Sequence, residues 1–167
     1  MSITIGTIET LVPEGQHDLV FRYLLVFSRF EYALKRSGYI NGKPESPGPN
    51  WDGFSSKYKT DFIRPQPPAL SSACNYFLSN PPRKQILNGG ALSWSEPQVR
   101  TNEALLTWLI TMVRCVRNNL FHGGKFPMIP IQEPARNTDL LNHSLTILDA
   151  CLSLDANVFH HFSTNDG

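Results

Sequence analysis

The sequence has no apolar run long and unbroken enough to cross a bilayer, which takes about 20 residues. Its first residues also lack the basic and apolar segments of a secretory signal. Neither membrane insertion nor export is therefore expected. With 41% hydrophobic and 17% charged residues, the composition is that of a globular protein, and a length of 167 residues suits one domain over residues 1–167. We expect a soluble, cytoplasmic protein.

Cysteine is scarce, and its three positions, Cys74, Cys115 and Cys151, are far apart among apolar neighbours. This pattern excludes a disulfide framework and a zinc site with paired ligands, and it favours reduced thiols in a core. The sequence also lacks a glycine-rich phosphate loop, a serine nucleophile elbow and a cysteine–histidine pair in a recognisable context. We expect neither a metal ion nor a cofactor.

The chain carries almost no net charge, with 15 basic and 14 acidic residues and a formal charge of +1. It therefore has no overall attraction to nucleic acid, unlike strongly basic nucleic-acid-binding domains. Any binding of RNA must come from a local group of basic side chains.

Apolar residues recur at helical spacing along most of the chain. This periodicity predicts helices at about residues 16–37, 51–62, 69–79, 95–121 and 138–154. The fold class that follows is all-α, an up-and-down helical bundle with a long central helix. Residues 42–92 are interpreted as an insertion of Pro-rich loop and short helices, in which Gly89-Gly90 forms a turn, and residues 156–167 as a flexible tail.

The central helix is apolar nearly all round, so it is expected at the centre of the fold. Its start is predicted at Ser95-Glu96-Pro97-Gln98, which fits a capping box, with Trp94 and Val99 as a hydrophobic staple. Arg117 lies beside apolar surface, away from the helix's narrow polar strip. That strip consists of Glu103, Thr107, Thr111, Arg114 and Asn118.

The central helix closes on a polar cluster, Arg117-Asn118-Asn119-Leu120-Phe121-His122, followed by Gly123-Gly124. The glycines are expected to end the helix and leave His122 free to turn toward a ligand. Cleavage of RNA without metal needs an acid or base near neutral pKa and a fixed positive charge on the phosphate. His122 suits the first role and Arg117 the second, with Asn118 as a positioning group.

A second interpretation of these residues is purely structural. Basic side chains near a helix C-terminus bond the last carbonyls and favour the helix dipole, which Arg117 and His122 can do without any catalysis. Arg114 and Lys125 flank the cluster and are candidates for contacts with RNA phosphates, but the same dipole argument explains basic residues there.

The cluster Arg117, Asn118 and His122, closing a long buried helix, resembles the active-site signature of the HEPN superfamily (higher eukaryotes and prokaryotes nucleotide-binding domains). In that signature an arginine and a polar residue are followed a few positions later by a histidine. The first helix adds a second resemblance. Its segment 29–36 contains Glu31, three residues, then Lys35-Arg36, a motif of some nuclease branches of the family.

The resemblance implies a metal-independent endoribonuclease, of the toxin or antiviral-effector type, that cuts RNA by attack of the 2′-hydroxyl. It also implies a homodimer in which two copies of the Arg117–His122 helix end form one composite cleft. The expected partners are RNA, a second copy and an antitoxin or regulatory protein, with no membrane. The alternative is a non-catalytic HEPN module that binds nucleotide, RNA or a protein partner.

Glu31 has two interpretations, because it interrupts the apolar face of the first helix. It can form an ordinary ion pair with Lys35, one turn further along the helix. It can also support the site from behind, as a carboxylate that holds Arg117 or the imidazole of His122, with Lys35 and Arg36 as further supporting residues.

Overall fold

The computed structural model describes residue 12 and residues 15–63, 67–98, 102–121 and 133–164. This part of the chain contains six α-helices and two antiparallel two-stranded sheets. In chain order they are α1 (His17–Arg36), β1 (Ile40–Lys43), β2 (Ser46–Pro49), α2 (Trp51–Tyr58), a 3₁₀ turn (Asp61–Ile63), α3 (Pro68–Ser79), β3 (Lys84–Asn88), β4 (Ala91–Ser95), α4 (Leu105–Phe121), α5 (Pro134–Leu152) and α6 (Ala156–Ser163). No helix in these ranges is long and apolar enough to span a membrane.

The core joins aromatic side chains of α1 and α2 to aliphatic side chains of α4 and α5. Helix α4 buries residues on nearly every side, as its sequence predicts, and packs against α2, α3 and α5. The buried hydroxyl of Tyr23 on α1 donates a 2.8 Å hydrogen bond to the carbonyl of Val113 on α4. Burial raises the pKa of Tyr23, which keeps this hydroxyl protonated as a donor.

The prediction of an all-α bundle is wrong, because two β-hairpins lie between the helices and make the fold mixed α/β. The first hairpin pairs β1 with β2 at the start of the segment interpreted as a Pro-rich loop, with Ile40 opposite Pro49 and Lys43 opposite Ser46. Gly42 has a positive φ of 89°, and a Cβ there would lie 2.8 Å from the carbonyl oxygen of Ser46. Glycine is therefore required for the close approach of these strands.

The second hairpin pairs β3 with β4 and turns at Gly89 and Gly90, whose φ angles are 58° and 84°. Two successive positive φ angles match the tight turn that follows the natural twist of paired strands. The predicted turn is confirmed, but the strands on either side of it were missed. Leu87 and Leu92 form a cross-strand pair here and are both largely exposed.

The start of the central helix and the end of the chain also differ from the predictions. Ser95 is the last residue of β4, and α4 begins at Leu105, so the capping box does not start the central helix. Pairing with β3 outweighs a local cap, which is worth only about 1 kcal/mol. Within the expected flexible tail, residues 156–163 form α6, whose Val158 is fully buried.

A buried carboxylate at the start of α6 ties three parts of the chain together. Asp155 is 7% exposed and accepts 2.7 Å hydrogen bonds from the hydroxyls of Tyr39 and Tyr58. It also caps α6 by accepting from the backbone amides of Asn157 and Val158. Burial opposes ionisation, but the four hydrogen bonds outweigh it and hold the pKa of Asp155 at about 2.

We predict that Asp155→Asn destabilises the protein by about 2 kcal/mol at pH 7, because it weakens hydrogen bonds made to a charged acceptor. The folded pKa of about 2 lies below the ordinary value of 3.8, so ionisation of Asp155 stabilises the fold above about pH 4. That contribution is lost as the pH falls toward 2. Urea denaturation of both proteins across this range should show their difference shrinking with acidity.

Asp149→Asn is the matched control, since Asp149 is an exposed carboxylate on α5. Equal free energies of unfolding for the Asp155 and Asp149 variants at pH 7 would contradict the structural role given to Asp155.

Candidate functional site

Arg117 lies in the last turns of α4, half-buried against aromatic rings. The carbon of its guanidinium is 4.4 Å from the ring centre of Phe121 and 5.8 Å from that of Phe27. One of its nitrogens donates a 3.1 Å hydrogen bond to the side-chain oxygen of Asn118. No carboxylate of the described residues forms an ion pair with Arg117, and the two rings and the amide oxygen hold its charged group in place.

Helical spacing explains why Arg117 contacts Phe121. Phe121 follows Arg117 by one turn, so the two side chains lie on the same face of α4. Phe121 is 56% exposed, and a large apolar side chain left open at this place is a second unusual feature of the helix end. Phe27 comes from α1 and is buried, so it fixes the inner side of the guanidinium.

Glu31 contacts neither Lys35 nor Arg117, but it is connected to Arg117 through two rings. Its carboxylate accepts a 3.2 Å hydrogen bond from the indole nitrogen of Trp51, which is 2% exposed. The Trp51 ring centre is 5.4 Å from that of Phe27, the ring beneath Arg117. The ion pair with Lys35, one of the two interpretations of Glu31, does not form. The carboxylate does not hold Arg117 directly either, because it bonds to Trp51, and His122 lies outside the described residues.

The two motifs lie toward the same end of their helices. Tyr23 contacts Val113, and one turn further along both helices Phe27 contacts Arg117. Because these contacts follow the same order on α1 and α4, the end of α4 lies on the Glu31 side of Phe27.

Two of the supporting candidates, Lys35 and Arg36, lie in the last turn of α1. Lys35 is half-buried and Arg36 is exposed. Neither forms an ion pair within the described residues. His122 and Lys125 lie outside the described residues, and in the sequence His122 directly follows Phe121, the last residue of α4.

A groove of about 950 Å³ runs between α4, the β3–β4 hairpin and the start of α2. All five residues of the predicted polar strip line it, four of them on α4 and Glu103 just before the helix begins. Arg117 is not among the lining residues, as its separation from the strip predicts. Asn118 belongs to both features, because it lines the groove and holds the guanidinium of Arg117.

Opposite charges pair with one another along this groove. Arg114, a candidate for phosphate contact, lies 3.5 Å from a carboxylate oxygen of Asp52 on α2. Glu96 lies 3.6 Å from the side chain of Arg83. Lys84 and Glu103 add one charge of each sign, so the described lining carries little net charge. Arg117, just beyond the groove, forms no ion pair within the described residues.

Trp108 is the residue of the groove that sequence reasoning missed. It lines the groove and is 3% exposed, and its indole N–H has no acceptor among the described residues. In the sequence it stands within the apolar run of α4, where a tryptophan suggests core packing only. A buried donor without an acceptor is uncommon in folded proteins.

Comparison with models of protein families, with curated proteins and with solved structures finds no match to this chain. Within the described ranges, no group of three or more His, Cys, Asp or Glu side chains is arranged to hold a metal ion.

We predict that Glu31→Ala destabilises the fold by about 1–3 kcal/mol, because it leaves the buried indole N–H of Trp51 without an acceptor. Glu31→Gln keeps an acceptor oxygen and should recover most of that loss. Thermal or urea denaturation measures both effects. Glu45→Ala, at an exposed position in the β1–β2 turn, is the control. A Glu31→Ala variant as stable as this control would show that the hydrogen bond to Trp51 does not stabilise the fold.

Proposed function

We propose that this protein is a metal-independent endoribonuclease of the HEPN type that acts in the cytoplasm as a homodimer. The proposal combines the resemblance of two sequence motifs with the surroundings of one side chain. That side chain is Arg117, the basic residue of the signature.

The observation that carries the proposal is that Arg117 forms no ion pair within the part of the chain that the structure describes. Most structural arginines at a helix end are solvated or paired with a carboxylate, whereas this one rests on two aromatic rings and an amide oxygen. A planar guanidinium held in this way can donate two parallel hydrogen bonds to a phosphate. Arg117 lies in the last turns of α4, and His122 follows the end of that helix in the sequence.

In the proposed reaction, His122 takes the proton of a ribose 2′-hydroxyl as that oxygen attacks the adjacent phosphorus. The bond from phosphorus to the 5′-oxygen breaks, and the leaving oxygen takes up a proton from a second acid. Arg117 stabilises the extra negative charge of the phosphorane, and Asn118 keeps the guanidinium in position. The products are a 2′,3′-cyclic phosphate and a free 5′-hydroxyl.

The second acid in this proposal is the histidine of another copy. A two-fold axis near the end of α4 would place two Arg117–His122 pairs around one phosphate, so each subunit would supply one proton-transfer group. The exposed ring of Phe121 lies at this end of the helix and suits burial between copies. An antitoxin or regulatory protein that covers this end would keep the activity in check.

A non-catalytic binding module is the second candidate function. The observation that favours it is the groove with little net charge beside Arg117, which suits a ligand and has no histidine among its described lining residues. This function requires RNA or nucleotide binding that depends on Arg117, with no product formed.

We predict that the purified protein cleaves RNA in the presence of a chelator and leaves 2′,3′-cyclic phosphate ends. His122→Ala should lower the rate by about 10²–10⁴-fold, the usual contribution of a positioned acid or base. Arg117→Lys keeps the charge but loses the two-pronged geometry, and it should lower the rate by about tenfold or more. Gel analysis of labelled RNA, with mass spectrometry of the ends, measures these effects.

Matched controls come from exposed residues of the same types, His160 on α6 and Arg22 on α1. Their alanine variants should cleave RNA at the wild-type rate. Absence of cleavage of every RNA class, or cleavage by His122→Ala as fast as by these controls, would exclude the endoribonuclease.

A further inference from the structure

We propose that the groove between α4 and the β3–β4 hairpin is a subsite for one base of a bound RNA strand. The inference rests on the proposed function for the presence of that strand at Arg117. It adds the part of the substrate that lies beside the reacting phosphate. Recognition of that part is assigned to Asn118, which the HEPN-like signature includes, and to groove residues outside the motifs.

The first argument is the donor that has no acceptor. Trp108 lines the groove with only 3% of its surface exposed, and its indole N–H makes no hydrogen bond within the described residues. Folding rarely leaves such a donor unpaired unless something else supplies the acceptor. The ring nitrogens and carbonyl oxygens of nucleobases are acceptors of this kind.

The second argument is the polar lining. Gln85, Gln98 and Asn118 line the groove, and an amide side chain offers a donor and an acceptor together. A donor beside an acceptor matches the edge of an unpaired base, and RNA-binding proteins recognise bases through such hydrogen bonds. A volume of about 950 Å³ leaves room for a base with its bridging water molecules.

The third argument is the charge. The described lining of the groove carries three carboxylates, on Asp52, Glu96 and Glu103, and two cations, on Lys84 and Arg114, so the groove offers no net attraction to a phosphate. An uncharged heterocycle suits these surroundings better than a phosphate does. The phosphate has a better site at Arg117, whose charge is not paired.

The fourth argument is continuity between the two places. Asn118 lines the groove and accepts a hydrogen bond from Arg117, so the groove begins next to the guanidinium. In RNA one ribose joins a base to its phosphate. A single nucleotide can therefore place its phosphate on Arg117 and its base in the groove.

Binding to uncleavable RNA tests the subsite without relying on catalysis. The probes are 2′-O-methyl trinucleotides, an abasic oligomer of the same length, and a free nucleoside monophosphate. The chain has three tryptophans, so the indole signal of Trp108 can be assigned in an NMR spectrum by comparison with Trp108→Phe. We expect the trinucleotides to shift this signal and to bind about tenfold tighter than the abasic oligomer.

Two variants separate the groove from the guanidinium. Thr111→Phe fills the groove from an exposed position. Its matched control is Thr146→Phe on α5. The hydroxyl of each threonine donates a hydrogen bond to the backbone carbonyl one turn earlier in its helix. Thr111→Phe and Trp108→Phe should abolish the tenfold preference, and the Thr146 control should keep it. Arg117→Lys should weaken binding of all oligomers equally.

Several results would overturn the subsite. These are a Trp108 signal that neither the trinucleotides nor the nucleoside monophosphate shifts, a base preference that survives Thr111→Phe, or an abasic oligomer that binds as tightly as the trinucleotides. A preference for bases that depends on Thr111 and Trp108, in a protein that forms no cyclic phosphate, would support the subsite and exclude only the endoribonuclease.

Discussion

The buried carboxylate of Asp155 is the interaction on which the candidate site and its groove both depend. Its hydrogen bond from Tyr58 fixes the end of α2 against the start of α6, 97 residues further along the chain. Helix α2 in turn supplies Trp51, which packs on the aromatic support of Arg117, and Asp52, which pairs with Arg114 at the groove. One ionised group far from the proposed chemistry therefore holds in place the helix that borders both features.

Helices were the predictable part of this fold. The spacing of apolar residues gave α1 and α3 to within one residue of their observed ends, because one buried face per helix is enough to produce the pattern. The same reasoning separated Arg117 from the polar strip of α4 and identified that strip as one surface. Helical spacing therefore predicted the features that depend on residues one turn apart in the same helix.

The features that were missed do not depend on neighbours one helical turn apart. The Pro-rich segment of the first hairpin shows no apolar alternation. Leu92-Ser93-Trp94-Ser95 does alternate after the turn at Gly89-Gly90, but the interpretation of Ser95 as a helix cap hid that strand. The partner of Glu31 is Trp51, 20 residues away, whereas local spacing suggested only Lys35. The sequence does not indicate that Trp108 lacks an acceptor. A buried tryptophan has apolar neighbours in sequence whether or not its indole N–H is hydrogen-bonded.

These relations give one account of the site: a guanidinium without a counter-ion receives a phosphate, and an almost neutral groove beside it receives the attached base. A crystal structure with a 2′-O-methyl RNA trinucleotide tests this account most directly, since the blocked hydroxyl prevents cleavage. The account predicts a phosphate oxygen within hydrogen-bonding distance of Arg117 and an acceptor atom of a base at the indole nitrogen of Trp108. An RNA strand bound on another surface, with Arg117 and the groove both unoccupied, would contradict it.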